Sequence, residues 1–581
     1  MACDTYYLGL SVTYHDPALA IVDGCGEVLF AEASERYLQY KRALNAEPDN
    51  LYYLPEVLQA HCRSRANFVI ALNWRRRRPL YETVVAGLGI LQAEGLLKTG
   101  LRRLKSPLPN HKLHHMMACQ RNSIAKAGLN AVRVLHECFS EASVSLVDCD
   151  HHTSHAASAC YASPFEEAVC AVVDSYGEHG ALAFYVYGNG QLKLIHEARG
   201  LGSLGLYYMK LTEWCGFDWL KGEEWKVMGL AAYGELDPRI YELLGASIRV
   251  QGLDVKHDRG PLFEALKSME ALRWSASEAP ETAANLAFSG QRVFAERMTE
   301  LLNNLYALGL SENLTLAGGC ALNSSFNGQV LERTPFRALY VPPAPADDGT
   351  ALGAAYLASS QGGTPARRSA PAMLSPYLGS RVSPEGIARL AQFARGLEVR
   401  RFSENIAEET AARLADGKLV GWVQGRAEFG PRALGNRSIL ADPRNPGMKD
   451  EINRRVKFRE EYRPFAPAVL DEFGVDYFLN YQFSPYMERT LRFRNEAAAR
   501  VPAVVHVDGT GRLQTVKKEW NPRFYEVIEH FRRLTGIPVV LNTSFNVMGK
   551  PIIHSVEDAV AVFMTTGLDV LVVEDLMISK S

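Results

Sequence analysis

Residues 168–190 read AVCAVVDSYGEHGALAFYVYGNG. An apolar run ends at Val173, a polar turn carries Asp174, a second apolar run follows, and Gly-Asn-Gly closes the unit. That order predicts strand, turn, strand, turn. It also occurs near the start, in YYLGLSVTYHDPALAIVDG at residues 6–24, where the polar turn carries His15 and Asp16. Two such units more than 150 residues apart predict a duplicated α/β domain with one phosphate-handling hairpin per lobe. A third signal, LTLAGGCALNSSFNG at 314–328, runs a strand into Gly318-Gly319 and then a helix. This geometry suits a nucleotide pressed against a helix N-terminus.

Together these units resemble the sugar-kinase/actin ATPase architecture. Farther along, LGLYYMKLTEWCGF (204–217) and ETAANLAFSGQRVFAERMTELLNNLYAL (281–308) carry the 3.6-residue periodicity of helices. The stretch 359–380, SSQGGTPARRSAPAMLSPYLGS, has linker composition. It predicts a domain over 1–360, a linker over 361–380 and a second domain over 381–581. The second domain opens helix-like (EETAARLADG), turns to strand (KLVGWVQ) and closes with strand-like IPVVLN and LDVLVV, a mixed α/β pattern.

Composition narrows the function. The 581 residues are 47% hydrophobic and 22% charged, enough for packed cores and too apolar for wholesale disorder. Lys and Arg number 63 against 65 Asp and Glu, a net charge of −2, so no broad basic field points to nucleic acid or a membrane surface. No apolar run reaches the ~18 residues of a membrane span. Asp4 interrupts the N-terminus, and no signal peptide is expected. The ten cysteines form no CxxC pair and none lies beyond Cys320; buried thiols in a reducing cytoplasm are the reading. The basic runs Arg75–Arg78 and LRRLKSP at 101–107 are read as solvated loops.

Two constellations carry chemistry. In DHHTSHAASACYAS, residues 150–163, His151 and His155 stand four apart, on one face of a helix, the spacing for two ligands of one ion. His152 lies about 100° round the helix and does not share that ion. Asp174 and Asp347, the latter in VPPAPADDGTALGAAY (341–356), supply oxygen ligands from other elements. Two imidazoles and two carboxylates suit Fe(II), Mn(II) or Zn(II). A second histidine group, His111, His114 and His115, has no supporting carboxylate or Gly-rich turn and is read as nonfunctional.

The second constellation is cationic. Arg426, Arg432, Arg437, Lys457, Arg459, Arg463 and Arg512 lie among Gly, Pro and Asn rather than along a Lys/Glu helix face. Arginine forks hold phosphate or carboxylate bidentately, and Lys457 is expected as a mobile point charge. NTSFNVMGKP (542–551) adds Ser544 and Asn546 as donors. Such a set would hold a small polyanion and stabilise charge developing at phosphorus, with Glu428 expected to hold one arginine.

Nine segments in order, HDPALAIVDG, DHHTSHAASACYASPFEEAV, EEWKVMGLAAYG, GGCALN, DDGTALGAA, EFGPRALGNRSILADPR, VKFREEYRPFAPAVL, HVDGTGRLQTV and LNTSFNVMGKP, span almost the whole chain. Through them the sequence resembles the O-carbamoyltransferases of natural-product biosynthesis, the nodulation-factor, cephem and tobramycin type. The resemblance implies an actin-like N-terminal domain similar to the tRNA threonylcarbamoyl-transferase fold, and a YrdC-like C-terminal domain. It implies that the C-terminal domain makes carbamoyl-adenylate from carbamoyl phosphate and Mg-ATP, and that the N-terminal domain transfers the carbamoyl group to a hydroxylated small molecule. It further implies metal ligation by His151, His155, Asp174 and Asp347, with Fe(II) first and Mn(II) or Zn(II) as alternatives. Lys457, Arg459, Arg463, Arg432, Arg512, Ser544 and Asn546 would form the carbamoyl-phosphate/ATP pocket. His15 would stand near the acceptor as the base, and Lys226 with Gly318 and Gly319 near the N-terminal nucleotide site. Where the family usually reads Glu-Gly-Lys, this chain has Glu224-Trp225-Lys226, and a Trp there would narrow the pocket or cover a base. The expected setting is cytoplasmic, without nucleic acid or membrane partners, and a homodimer is allowed. The alternatives weighed are a tRNA threonylcarbamoyl-adenosine enzyme, a hydrogenase-maturation carbamoyltransferase, disfavoured for want of CxxC pairs, and a non-catalytic actin-like scaffold. The segments that would choose the acceptor, around 40–130 and 235–285, carry no readable motif.

Overall fold

The computed structural model describes residues 5–580 except 64, 77–109, 276–277, 363–371 and 461. In chain order the strands are β1 (Thr5–Ser11), β2 (Ala18–Asp23), β3 (Val28–Ala33), β4 (Asn67–Leu72), β5 (Ser143–Asp148), β6 (Ala168–Val173), β7 (Leu182–Gly188), β8 (Gln191–Glu197), β9 (Ile248–Gln251), β10 (Asp254–His257), β11 (Asn313–Ala317) and β12 (Ala338–Tyr340). Among the described residues they form one sheet ordered β3-β2-β1-β4-β5, a second ordered β12-β11-β6-β7-β8, and the hairpin β9-β10. Read from its first strand, each five-stranded sheet repeats one plan. Two antiparallel partners stack on one side (β2, β3; β7, β8), and two parallel strands follow on the other (β4, β5; β11, β12). The expected hairpins are β1-β2 and β6-β7, and the duplication read from the sequence is present as topology.

Two helices join the lobes. His151–Tyr161 begins after Asp150, whose side chain accepts the Thr153 N–H at 2.9 Å, an N-cap that fixes the start of the helix. Gly349–Gln361 follows β12 and packs on His151–Tyr161 and on β1. Their close approach depends on small residues. A Cβ on Gly353 would lie 1.8 Å from the Ser154 carbonyl oxygen, and one on Gly9 1.8 Å from that of Ala351. Any side chain at either position would force the backbones apart. The helix Ala284–Tyr306 buries Val293, Phe294, Met298 and Leu302 in the second lobe, as its periodicity predicts.

Beyond residue 372 come β13 (Leu397–Arg401), β14 (Val420–Val423), β15 (Arg437–Ala441), β16 (Ala466–Leu470), β17 (Arg489–Arg492), β18 (Thr510–Val516), β19 (Val539–Ser544), β20 (Val570–Val573) and β21 (Leu576–Lys580). They make one mixed sheet ordered β13-β21-β20-β14-β15-β19-β16-β18-β17. Part of the expected linker, 363–371, lies outside the described residues. The rest is held: Ala31 N–H donates to the Leu378 carbonyl at 3.0 Å, and the Ser380 N–H to Glu32 at 3.0 Å. The two parts also share a core, since Tyr462, 2% exposed, belongs to the apolar cluster of the second lobe.

The described cysteines form no disulfide. Among the described residues no helix is long and apolar enough to cross a membrane. Arg75 and Arg76 meet Asp150 at 3.7 Å and Asp148 at 2.8 Å. Arg77, Arg78 and residues 101–107 lie outside the described residues, as do the side chains of His111 and His114. The His115 ring meets Tyr14 edge-on at 6.1 Å.

Candidate functional site

His151 and His155 project from their helix beside Asp174, at the end of β6, and Asp347, just ahead of the helix Gly349–Gln361. His151 Nε2 lies 3.4 Å from Asp174 Oδ2 and 3.7 Å from Asp347 Oδ1. His155 Nε2 lies 3.7 and 3.4 Å from the same two oxygens. All four donor atoms fall within 4.8 Å of one another. Ligands ~2.1 Å from one ion in a tetrahedral arrangement stand ~3.4 Å apart, so the spacing fits a shared divalent ion. His155 Nε2 is buried and lacks a hydrogen-bond partner, which a purely hydrogen-bonded cluster would leave unexplained.

The surroundings set these ligands. Gly319 N–H donates to Asp174 Oδ1 at 3.2 Å, leaving Oδ2 for the histidines. Ser203 Oγ donates to the Asp174 carbonyl at 3.0 Å and Ser11 Oγ to that of Asp347 at 2.7 Å. Asn73 Nδ2 reaches the Thr350 hydroxyl at 2.7 Å and lies 3.5 Å from His151 Nδ1. Burial would raise the Asp174 carboxyl, but the His151 hydrogen bond and the two imidazoles hold it below the usual range. His152 points elsewhere, against Gly177, and burial with His151 nearby pushes it down to about 3, so it stands apart from this cluster as the helix geometry predicts. His15 Nδ1 lies 3.0 Å from Asp16 Oδ2 and 3.4 Å from Asp347 Oδ2. Arg42 clamps Asp16 through Nη2 at 2.8 Å.

The cations gather on the other side of one continuous cavity of about 1040 Å³, whose wall includes His15, Asp174, Asp347, Arg463, Arg512 and Ser544. Arg432, Arg459 and Asn546 line it too. Residues Asn453–Lys457 wind as a π-type turn and Phe458 takes φ 48°. That left-handed residue throws its own ring to solvent between a buried Lys457 and a half-buried Arg459. The Arg459 guanidinium carbon lies 4.5 Å from the centroid of the Phe465 ring, and Arg459 donates to Asn453 at 2.8 Å. Arg463 Nη1 meets Glu460 at 3.2 Å. Among the described residues no other carboxylate pairs with Arg432, Lys457, Arg459, Arg463 or Arg512. Arg459 Nη2, Arg463 Nε and Arg512 Nε are buried without a hydrogen-bond partner. Burial, together with Arg432, Arg459 and Arg463, pushes the Arg512 guanidinium well down. Burial alone brings Arg432 to about 10. Such a cluster calls for an anion.

Several residues serve differently from the expectation. Lys457 is not a mobile charge. Its ammonium donates to the Ser544 carbonyl, to Asn546 Oδ1 at 2.7 Å and to the Asn546 carbonyl at 3.1 Å, so it holds the 544–546 turn from behind the cavity wall. Arg437 is tied to backbone carbonyls of Gln424, Asn436, Ser380 and Gly425, and Arg426 to those of Gly379, Leu378 and Leu29, which removes both from the anion set. Among the described residues Glu428 pairs with no arginine side chain; it accepts the backbone N–H groups of Leu434, Asn436 and Arg437. Lys226 pairs with Glu223 at 2.8 Å and Glu460 at 3.2 Å and is off the cavity wall. The Gly319 amide is directed at Asp174, and Gly318 takes φ 89°, where its missing Cβ admits the Val173 carbonyl. Trp225 stands on the cavity wall under Arg463. The sequence reading assigned no role to Asn73 or Arg42 and placed Asp16 only in the polar turn beside His15; a polar residue closing an apolar strand was the available signal for Asn73.

Two family models match the chain: the carbamoyltransferase N-terminus over residues 109–356 and the carbamoyltransferase C-terminus over residues 411–580. The chain belongs to the carbamoyltransferase family. This carbamoyltransferase is similar to an uncharacterised protein of Synechocystis sp., 34% identical over 99% of this chain and 97% of that protein. It is similar to nodulation protein NolO of Bradyrhizobium diazoefficiens, 38% identical over 74% of this chain and 79% of that protein. Nodulation protein NolNO of Sinorhizobium fredii is 39% identical over 74% of this chain, which covers 63% of NolNO. Among solved structures, full-length HypF in its phosphate- and nucleotide-bound form aligns with 62% of the carbamoyltransferase and 47% of its own chain, at 11% identity and a TM-score of 0.34, too distant to add to the topology above.

Proposed function

We propose that this carbamoyltransferase is an ATP-dependent O-carbamoyltransferase. Residues 381–581 form a YrdC-like adenylation domain. Residues 1–360 form the transfer domain, actin-like and similar to the threonylcarbamoyl-transferase fold. One observation carries the reading: a single cavity is walled at one end by arginines with unpartnered nitrogens and at the other by Asp174 and Asp347 of the four-donor cluster.

At the cationic end, water releases phosphate from carbamoyl phosphate. An oxygen of the resulting carbamate attacks the α-phosphorus of ATP, and pyrophosphate leaves, giving carbamoyl-adenylate. Arg432, Arg459, Arg463 and Arg512 hold the phosphate groups, and Ser544 and Asn546, fixed by Lys457, supply neutral contacts. At the other end, an acceptor hydroxyl attacks the carbamoyl carbon, the C–O bond to AMP breaks, and AMP takes the electron pair. His15 accepts the hydroxyl proton. His151, His155, Asp174 and Asp347 hold a divalent ion, Fe(II) before Mn(II) or Zn(II), which supplies Lewis acidity when bound. The acceptor is a hydroxylated small molecule.

The test is pyrophosphate release from ATP by the full chain, with and without carbamoyl phosphate and with no acceptor, then repeated over candidate acceptors. Release that depends on carbamoyl phosphate is expected. No release under any acceptor would sink the adenylation reading.

A further inference from the structure

The helix Glu224–Ala231 of the N-terminal part faces Glu460, Tyr462, Arg463 and Pro464 of the C-terminal part at three successive points. Lys226 Nζ pairs with Glu460 Oε1 at 3.2 Å. A Cβ on Gly229 would stand 3.6 Å from Pro464 and 3.8 Å from the Tyr462 ring. Between these, the Arg463 guanidinium carbon lies 4.0 Å from the centroid of the Trp225 ring. Tyr462, next to Arg463 in sequence, is buried in the core of the second lobe, which anchors this segment against the helix.

Trp225 and Arg463 both line the cavity. A guanidinium stacks through its face and donates hydrogen bonds in its plane, so the two uses do not compete. The indole face attracts the cation and removes the rotational freedom an arginine in an open cavity would keep. In the plane, Nη1 meets Glu460, while Nε is buried without a partner and keeps its donor unspent. The cationic cluster thus borrows its alignment from a side chain on the other part of the chain.

We propose that Trp225 is a positioning residue that fixes the guanidinium plane of Arg463 across the seam, so that the phosphate-holding cluster is complete only when the two parts are joined. This rests on the reading that Arg463 holds a phosphate-bearing substrate. The role is indirect, since Trp225 acts through Arg463.

The test is a double-mutant cycle on the full chain, read by calorimetric titration with pyrophosphate, which needs no turnover. Trp225→Ala is expected to weaken pyrophosphate binding about fivefold to twentyfold, and Trp225→Phe to restore most of the loss. In an Arg463→Gln background the Trp225→Ala effect shrinks to about twofold or less. Trp225→Leu, which keeps bulk but has no π face, replaces Trp225→Ala if the latter does not fold. Equal losses in both backgrounds, or a leucine variant as tight as wild type, overturn the inference. Wild type that binds no pyrophosphate and shows no carbamoyl-phosphate-dependent release overturns the parent reading as well. Wild type that does both, with additive losses, overturns this inference alone.

Discussion

Asp347 connects His15 to the four-donor cluster: its Oδ2 lies 3.4 Å from His15 Nδ1 and its Oδ1 3.4 Å from His155 Nε2. Asp16 Oδ2 holds the same His15 nitrogen at 3.0 Å. Two carboxylates on Nδ1 favour the tautomer with its proton there, which leaves Nε2 basic. His15→Asn is therefore expected to slow carbamoyl transfer at least about 100-fold while leaving acceptor-independent pyrophosphate release near wild type. Comparing product formation with pyrophosphate release in one reaction checks this; intact transfer removes His15 from the base role.

The orphaned His155 Nε2 gives a sharper prediction than total activity. The purified chain should carry about one divalent ion, a single shared site being the geometry of the donor set. His155→Ala should lose most of it, and Asn73→Ala, which removes an amide lying beside His151, should weaken retention by about tenfold or more. Metal analysis after dialysis against a graded chelator measures both. An ion content unchanged in His155→Ala would refute the site.

Binding of a polyanion should take up protons. Burial, with Arg459 and Arg463 close by, pushes the Lys457 ammonium well below its ordinary value. An anion arriving nearby restores the charged form. Affinity for pyrophosphate should fall as pH rises through that lowered value, because the protonated site is the tighter one. The uptake, at most about one proton, should appear as a buffer-dependent heat above that lowered value and vanish in Lys457→Met. The same variant frees the 544–546 turn and is expected to cut adenylation at least about 100-fold.

Packing between the two central helices makes a prediction about stability. Gly353→Ala places a methyl on the Ser154 carbonyl and should cost about 1–3 kcal/mol. The strain falls between His151 and His155, so metal retention should drop with it. Thermal unfolding with and without added ion separates the two effects. An unchanged melting temperature would show that the helices can move apart freely.

The sequence made the duplicated hairpins, the His151/His155 spacing and the Asp174 and Asp347 turns legible, because each depends on local period or turn chemistry. It misjudged Lys457, Arg437 and Glu428, since residue type announces charge but not which backbone groups a buried charge must satisfy. Arg437, in Gly-Asn-Arg-Ser, and Arg432, in Gly-Pro-Arg-Ala, lie five residues apart in one Gly-rich stretch, yet Arg437 donates to four carbonyls while Arg432 faces the cavity. The Trp225–Arg463 contact and the burial of Tyr462 join residues more than 200 positions apart, and no local pattern encodes such contacts.

Tyr462 has a practical consequence for engineering. A chimera that grafts the C-terminal half of one relative onto the N-terminal half of another, in order to exchange acceptors, transplants a side chain whose socket remains behind. Val227 and Leu230, with Tyr462 in one apolar cluster, must travel with it. The cut that keeps both halves folded therefore follows the contour of that socket and not the proline-rich stretch between the sheets.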